Sequence, residues 1–131
     1  MVQFAPDGVP TIDGCRPAVL RFMSDGEVHS LQQIIRGVAD VLGLGDELVA
    51  QKISSGQGRL ENRVGWACSS FYRGGLLEKE QRGLYRITDE GRAVDARGLL
   101  EYSEQDLLEW PIWRAYLAEV DERRKRSGEE V

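Results

Sequence analysis

Residues 59–88, RLENRVGWACSSFYRGGLLEKEQRGLYRIT, change hydrophobic period halfway along, with no linker between the two halves. At about 100° per residue, Leu60, Val64, Ala67 and Phe71 fall in one narrow arc. Arg59, Asn62, Trp66, Ser69, Ser70 and Arg73 gather on the opposite side. The pattern predicts a helix with one packed and one outward face. Gly74-Gly75 ends it, because glycine accepts the left-handed conformation that closes helices. Residues 76–80 and 84–88 then read as two strands around a tip, Gln81-Arg82-Gly83, that no apolar core would accept. Tyr85 and Ile87 are expected to point inward and Arg86 outward. A helix running straight into a tight hairpin leaves few folds open.

The flanking sequence supplies the other elements. An arm over residues 1–15, with Pro6, Gly8, Pro10 and Gly14, is expected to be loop. Residues 16–24 place Val19, Leu20 and Met23 on one helical face, with Pro17 in the first turn, and Asp25-Gly26 turns the chain. Residues 27–30 form a short extended piece. Ser30 caps a helix marked by Leu31, Ile34, Ile35, Val38, Val41 and Leu42, which Gly43 ends. Residues 46–52 suit a short helical turn, Ser54-Ser55-Gly56-Gln57-Gly58 a loop, and Thr88 caps a helix over 89–97. The order helix, short strand, helix, helix, strand, strand, helix is that of a winged helix-turn-helix. Such an α+β domain, mostly helical with a β-hairpin wing, puts its exposed helix in the DNA major groove and its wing along the phosphates.

Residues 98–131 read as a helical extension or a linker toward a missing domain. Ser103 and Asp106 make a capping pattern, and Pro111 restarts a helix. Ile112, Trp113, Tyr116, Leu117 and Val120 form an apolar stripe that must be buried: against the core, in a homodimer, or under a domain outside the chain. The terminal DERRKRSGEEV has no apolar pattern and is expected to fray or to serve as a linker.

The net charge of −5 by itself argues against a nucleic-acid partner. Its distribution argues otherwise. Residues 1–58 hold 4 basic and 7 acidic side chains, 59–97 hold 8 and 6, and 98–131 hold 5 and 9, so only the segment with the outward helix and hairpin is net positive. The expected DNA-contacting residues are Arg59, Asn62, Arg63, Trp66, Ser69, Ser70 and Arg73 on the helix, with Lys79, Gln81 and Arg82 on the hairpin. Asn62, Trp66 and Ser69 are spaced to line one ridge, where an asparagine amide can bond the edge of adenine and an indole can pack on a base methyl. Arg82 has the clearest functional case, since a hairpin tip offers nothing to pack against.

No nuclease site is visible. There is no Glu-x-Lys or Asp-x-Lys triplet and no set of acids on a sheet to hold Mg²⁺, and His29 is the lone histidine, expected to be a structural or surface residue. SSGQGR lacks the Gly-Lys-Ser/Thr ending of a phosphate-binding loop. No catalytic residue, metal or cofactor is therefore assigned, and the chain is expected not to be an enzyme. Cys15 and Cys68 lack metal spacing and read as small buried thiols. The chain has no secretory signal pattern and no run near the ~20 apolar residues of a membrane helix, which leads to a cytoplasmic expectation.

The run Asn62-Arg63-Val64-Gly65-Trp66-Ala67, with Phe71, Gly75-Leu76-Leu77, Arg82-Gly83, Tyr85, Ile87-Thr88 and Gly91-Arg92, resembles the N-terminal winged-helix domain of Mrr-type restriction proteins. The resemblance covers residues 16–97. It implies a double-stranded DNA-binding module attached, in the full-length protein, to a nuclease domain that cuts modified or foreign DNA. The chain departs from the family at Phe71, usually aliphatic, at Gly74, usually alanine, and at Glu78 and Glu80, which make the wing less basic. Two other classes remain open: a stand-alone regulator dimerising through the C-terminal stripe, and a winged helix used for protein contacts.

Overall fold

Thr11 caps the first helix by accepting the Gly14 N–H at 3.0 Å, so α1 (Ile12–Met23) starts four residues earlier than the expected Arg16. The computed structural model describes residues 8–51 and 58–128. Pro17 consequently lies inside α1 and not in its first turn. Proline has no N–H for the carbonyl four residues back. The Tyr102 N–H replaces it, bonding the Asp13 carbonyl at 2.9 Å and pinning the C-terminal extension to α1.

Strand β1 (His29–Ser30) leads into α2 (Leu31–Leu42), whose start is closed reciprocally by Ser30 and Gln33 and whose end is closed by Gly43 at φ 67°. Helix α3 (Asp46–Ala50) is the expected short turn, shortened at its end. Lys52 and the loop residues Ser54 to Gln57 lie outside the described residues. Helix α4 (Arg59–Gly74) is the two-faced helix, closed by Gly75 at φ 86°.

The hairpin is β2 (Leu77–Gln81) and β3 (Leu84–Ile87). Its turn is two residues, Arg82-Gly83, with Gly83 at φ 78°. Gln81, expected at the tip, instead ends β2. Lys79 faces Tyr85 and Gln81 faces Leu84, so Glu80 is an extra, bulged residue that lengthens the strand. Strand β1 pairs antiparallel with β3, which sits centrally in the order β1-β3-β2. The Leu31 N–H also bonds the Gly83 carbonyl at 3.3 Å, fastening the turn to the start of α2. As the alternation requires, Tyr85 and Ile87 are buried and Arg86 is half-exposed.

Thr88 caps α5 (Asp89–Asp95), which stops two residues short of Arg97. Ser103 and Asp106 form the capping box of α6 (Glu104–Leu107), and α7 (Pro111–Gly128) follows. The charged end expected to fray is helical through Gly128. Two pairs at helical spacing, Arg123–Glu119 at 3.7 Å and Lys125–Asp121 at 3.4 Å, lie along it. Exposed pairs of that kind add only ~0.3–0.5 kcal/mol each.

The core joins Val19, Leu20 and Met23 of α1, Ile34 and Val38 of α2, Leu60, Val64 and Phe71 of α4, and Leu76, Leu77 and Ile87 around the hairpin. Tyr102, Leu107 and Trp113 belong to the same cluster, so the extension is part of the core. The result is an α+β chain, mostly helical, with a small three-stranded antiparallel sheet. Cys15 and Cys68 are free and buried, and burial pushes both thiols up to about 12. His29 rests against Phe22, with ring centroids 4.6 Å apart, and its Nε2 lies 2.9 Å from the Asp25 carboxylate, a structural placement. Among the described residues no helix is long and apolar enough to cross a membrane.

Candidate nucleic-acid interface

Helix α4 buries Leu60, Val64, Ala67, Cys68 and Phe71 and turns Trp66, Ser69 and Arg73 to solvent, with Trp66 60% exposed. Arg59 and Asn62 are half-buried in the first turn. Arg63, also half-buried, donates through Nη1 to the carbonyls of Val9 and Pro10 at 3.2 and 3.3 Å. It ties the chain before α1 to the middle of the site.

Ser70 departs from the expected outward face. It is 8% exposed, donates to the Ala67 carbonyl at 2.9 Å and accepts from Arg16 Nε at 3.0 Å. The reason is that α4 is packed on two sides, by α1 and by the C-terminal extension, so its buried arc is wider than the apolar stripe alone predicts. Arg16 is 2% exposed. Its Nη1 bonds Asp13 at 2.7 Å and the Tyr102 carbonyl at 2.9 Å, while Nη2 lies 3.7 Å from Glu104. Burial lowers the guanidinium's pKa, and the Asp13 and Glu104 charges oppose that shift. Sequence spacing did not single out Arg16, because a lone arginine in an apolar stripe looks like any helix-surface charge.

The hairpin brings its cations to the end of α4. Lys79 Nζ lies 4.3 Å from the centre of the Tyr72 ring and 5.8 Å from that of Tyr85. The Arg73 guanidinium lies 5.5 Å from the Tyr72 centroid and 5.1 Å from that of Tyr116. Aromatic faces attract cations and hold these long side chains in place without neutralising them. Glu80 is paired with Arg86 at 2.6 Å, so one of the two hairpin acids is already compensated. Gln81 and Arg82 are exposed, and Arg82 has no hydrogen-bond or ion-pair partner among the described residues. Arg73, Lys79 and Arg82 therefore offer positive charge along the α4 end and the hairpin.

Helix α7 lies beside α4. Trp113 is buried near Gly74, where an added Cβ would stand 3.8 Å from Trp113 Cβ and 3.0 Å from Leu107 Cδ2. An alanine at Gly74 would require the Leu107 side chain to give by a few tenths of an ångström. Of the apolar stripe, Trp113 is buried, Tyr116 and Val120 are half-buried, and Ile112 and Leu117 are exposed. The stripe is thus largely used inside the chain, leaving Ile112 and Leu117 for any homodimer contact. Between the two helices is a half-open cleft of about 370 Å³, with Trp66, Ser69 and Arg73 on one wall and Trp113 and Tyr116 on the other. Among the described residues no three His, Cys, Asp or Glu side chains gather as metal ligands would.

A family model described as the Mrr N-terminal domain matches residues 14–97. Over 84 residues the chain is 37% identical to the Type IV methyl-directed restriction enzyme EcoKMrr of Escherichia coli (strain K12). That alignment covers 63% of this chain and 28% of the enzyme, so the chain spans well under a third of its curated relative. No solved structure matches the chain.

Proposed function

The chain belongs to the Mrr N-terminal domain family, and from that premise we propose that residues 16–97 form a winged helix-turn-helix that binds double-stranded DNA. In this reading α4 enters the major groove and the β2–β3 hairpin is the wing. Its task is target recognition for a restriction or modification-dependent nuclease, whose cutting domain lies elsewhere in the full-length protein. The single observation that best supports binding is the exposed Arg82, without a partner among the described residues, on a hairpin whose Lys79 shares the Tyr72 ring with Arg73 of α4. The relative's printed description, a methyl-directed restriction enzyme, supports a modified base as the feature read. No catalytic role is proposed for residues 16–97.

Arg59, Arg73, Lys79 and Arg82 are the proposed phosphate contacts. Neutralising ~4 phosphates gives a slope of about −3.6 in log affinity against log salt. Anisotropy titrations of labelled duplexes over a range of salt measure it, and a salt-independent affinity contradicts the proposal. Arg82→Ala is expected to weaken all duplexes alike and to reduce the slope by about 1, since a phosphate contact positions the protein without reading sequence. A loss confined to one sequence would place Arg82 in a groove.

Asn62, half-buried in the first turn of α4, is the proposed base-reading residue, with Trp66 one turn further along offering an apolar surface to a methyl-bearing base. Asn62→Ala is expected to cost ~1–3 kcal/mol on the preferred site and far less on random duplex. A panel carrying methylated adenine, methylated cytosine or neither tests this. Identical affinity ratios for wild type and variant across the panel would remove Asn62 from base reading.

A further inference from the structure

The α4–α7 cleft combines aromatic rings and polar side chains with the aliphatic Ile12, Leu117 and Val120. Trp66, 60% exposed, lines the cleft from α4. Tyr116 and Trp113, whose ring centroids lie 5.5 Å apart, line it from α7. The polar lining includes both donors and an acceptor. Ser69 and Arg73 are exposed donors, and Glu104 presents a carboxylate 66% exposed, only loosely tied to Arg16 at 3.7 Å. Trp113 Nε1 is a buried donor with no hydrogen-bond partner among the described residues. The volume, about 370 Å³, lies in the ~300–1,000 Å³ range of small-ligand sites.

Resting on the DNA-binding reading above, we infer that this cleft takes a single nucleobase extruded from the duplex. A base offers a π-face to Trp66 and Tyr116 and, at its edge, donors for Glu104 and an acceptor for the Ser69 hydroxyl. The other ligand chemistries fit less well. A phosphate would not use the rings and would be repelled by Glu104, and an apolar side chain would match Ile12, Leu117 and Val120 but leave Ser69 and Glu104 unmatched. Extrusion requires unpairing and unstacking, which is least costly for a base that is already mispaired. Stacking on an exposed aromatic ring offsets part of that cost for any base, because every base has a π-face.

The test uses the full chain and two labelled duplexes, identical except that one carries a single central mispaired adenine, titrated by anisotropy at low salt. The wild type is expected to bind the mispaired duplex about tenfold more tightly. Trp66→Ala should bring that ratio close to one, and Trp66→Phe, which keeps a stacking face, should retain most of it. Ser69→Phe, which fills the cleft from an exposed position and leaves the core intact, should also abolish the ratio. Equal affinity of the wild type for the two duplexes, or a ratio that survives in both Trp66→Ala and Ser69→Phe, overturns base capture while DNA binding stands. Failure to bind either duplex overturns the DNA reading itself, and base capture with it.

Discussion

Arg16→Ala is expected to destabilise the chain by ~3–5 kcal/mol, the range for breaking a buried, hydrogen-bonded charge network. Arg16 is 2% exposed and donates to three groups on three separate segments: Asp13 in α1, Ser70 in α4 and the Tyr102 carbonyl in the extension. Alanine removes the donors and leaves the Ser70 hydroxyl and the Tyr102 carbonyl short of a partner in a buried place, at ~1–3 kcal/mol for each orphaned group. Asp13 is partly exposed and water can replace its lost bond, so it adds little. Arg16→Lys keeps the charge but not the planar fork that serves three acceptors at once, and should fall between the two. Urea unfolding measures the effect as a lower midpoint at unchanged slope. A loss below ~1 kcal/mol would mean the three segments are held by apolar packing alone.

Gly91→Ala is expected to cost roughly 3 kcal/mol, although alanine is the better helix former by ~1 kcal/mol. Gly91 sits in the first turn of α5, where its N–H serves the Thr88 cap at 3.1 Å. An added Cβ would lie 2.3 Å from the Leu76 carbonyl oxygen and 2.7 Å from Ile87 Cγ1. The Leu76 carbonyl cannot simply move aside, because it already accepts the Thr88 N–H at 3.1 Å. Either α5 lifts from the sheet or that bond breaks. The control is Gly65→Ala within α4, where, the helix's own backbone apart, no heavy atom of the described residues lies within 4 Å of the new Cβ. There propensity acts alone, and the same change should stabilise by up to ~1 kcal/mol. Thermal melts of the two variants should therefore shift in opposite directions, and a shift of the same sign in both would refute the close-approach argument for Gly91.

Part of the candidate site was legible from residue order. Trp66, Ser69 and Arg73 lie exposed on α4 and Arg82 at the hairpin turn, as the helical period and the Arg-Gly turn imply. Ser70 and the crossed aromatic–cation contacts were not legible. Ser70 and Ser69 are neighbours of the same type, and only the position of Arg16, 54 residues away, makes one of them structural. Likewise nothing adjacent to Tyr72 indicates that Lys79 will come to rest on its ring, since that contact exists only once the hairpin folds back along α4.

What the sequence by itself determined depends on interactions within about four residues: the Ser30 cap, the Ser103–Asp106 pattern, the Thr88 cap, the glycine stops at Gly43 and Gly75, and the alternation of Tyr85, Arg86 and Ile87, although the equally local Thr11 cap was not read. These are read correctly because a backbone donor and the side chain that satisfies it are near neighbours in the chain. What only the tertiary structure decided is everything that satisfies a group from far away. The Asp13 carbonyl, which Pro17 leaves without a helical donor, is satisfied by the distant Tyr102 N–H, β1 becomes a strand only because β3 pairs with it, and α7 packs against α4. An apolar stripe specifies that it must be covered, but not by what. That choice rests on the shape of the assembled core, which no local period encodes.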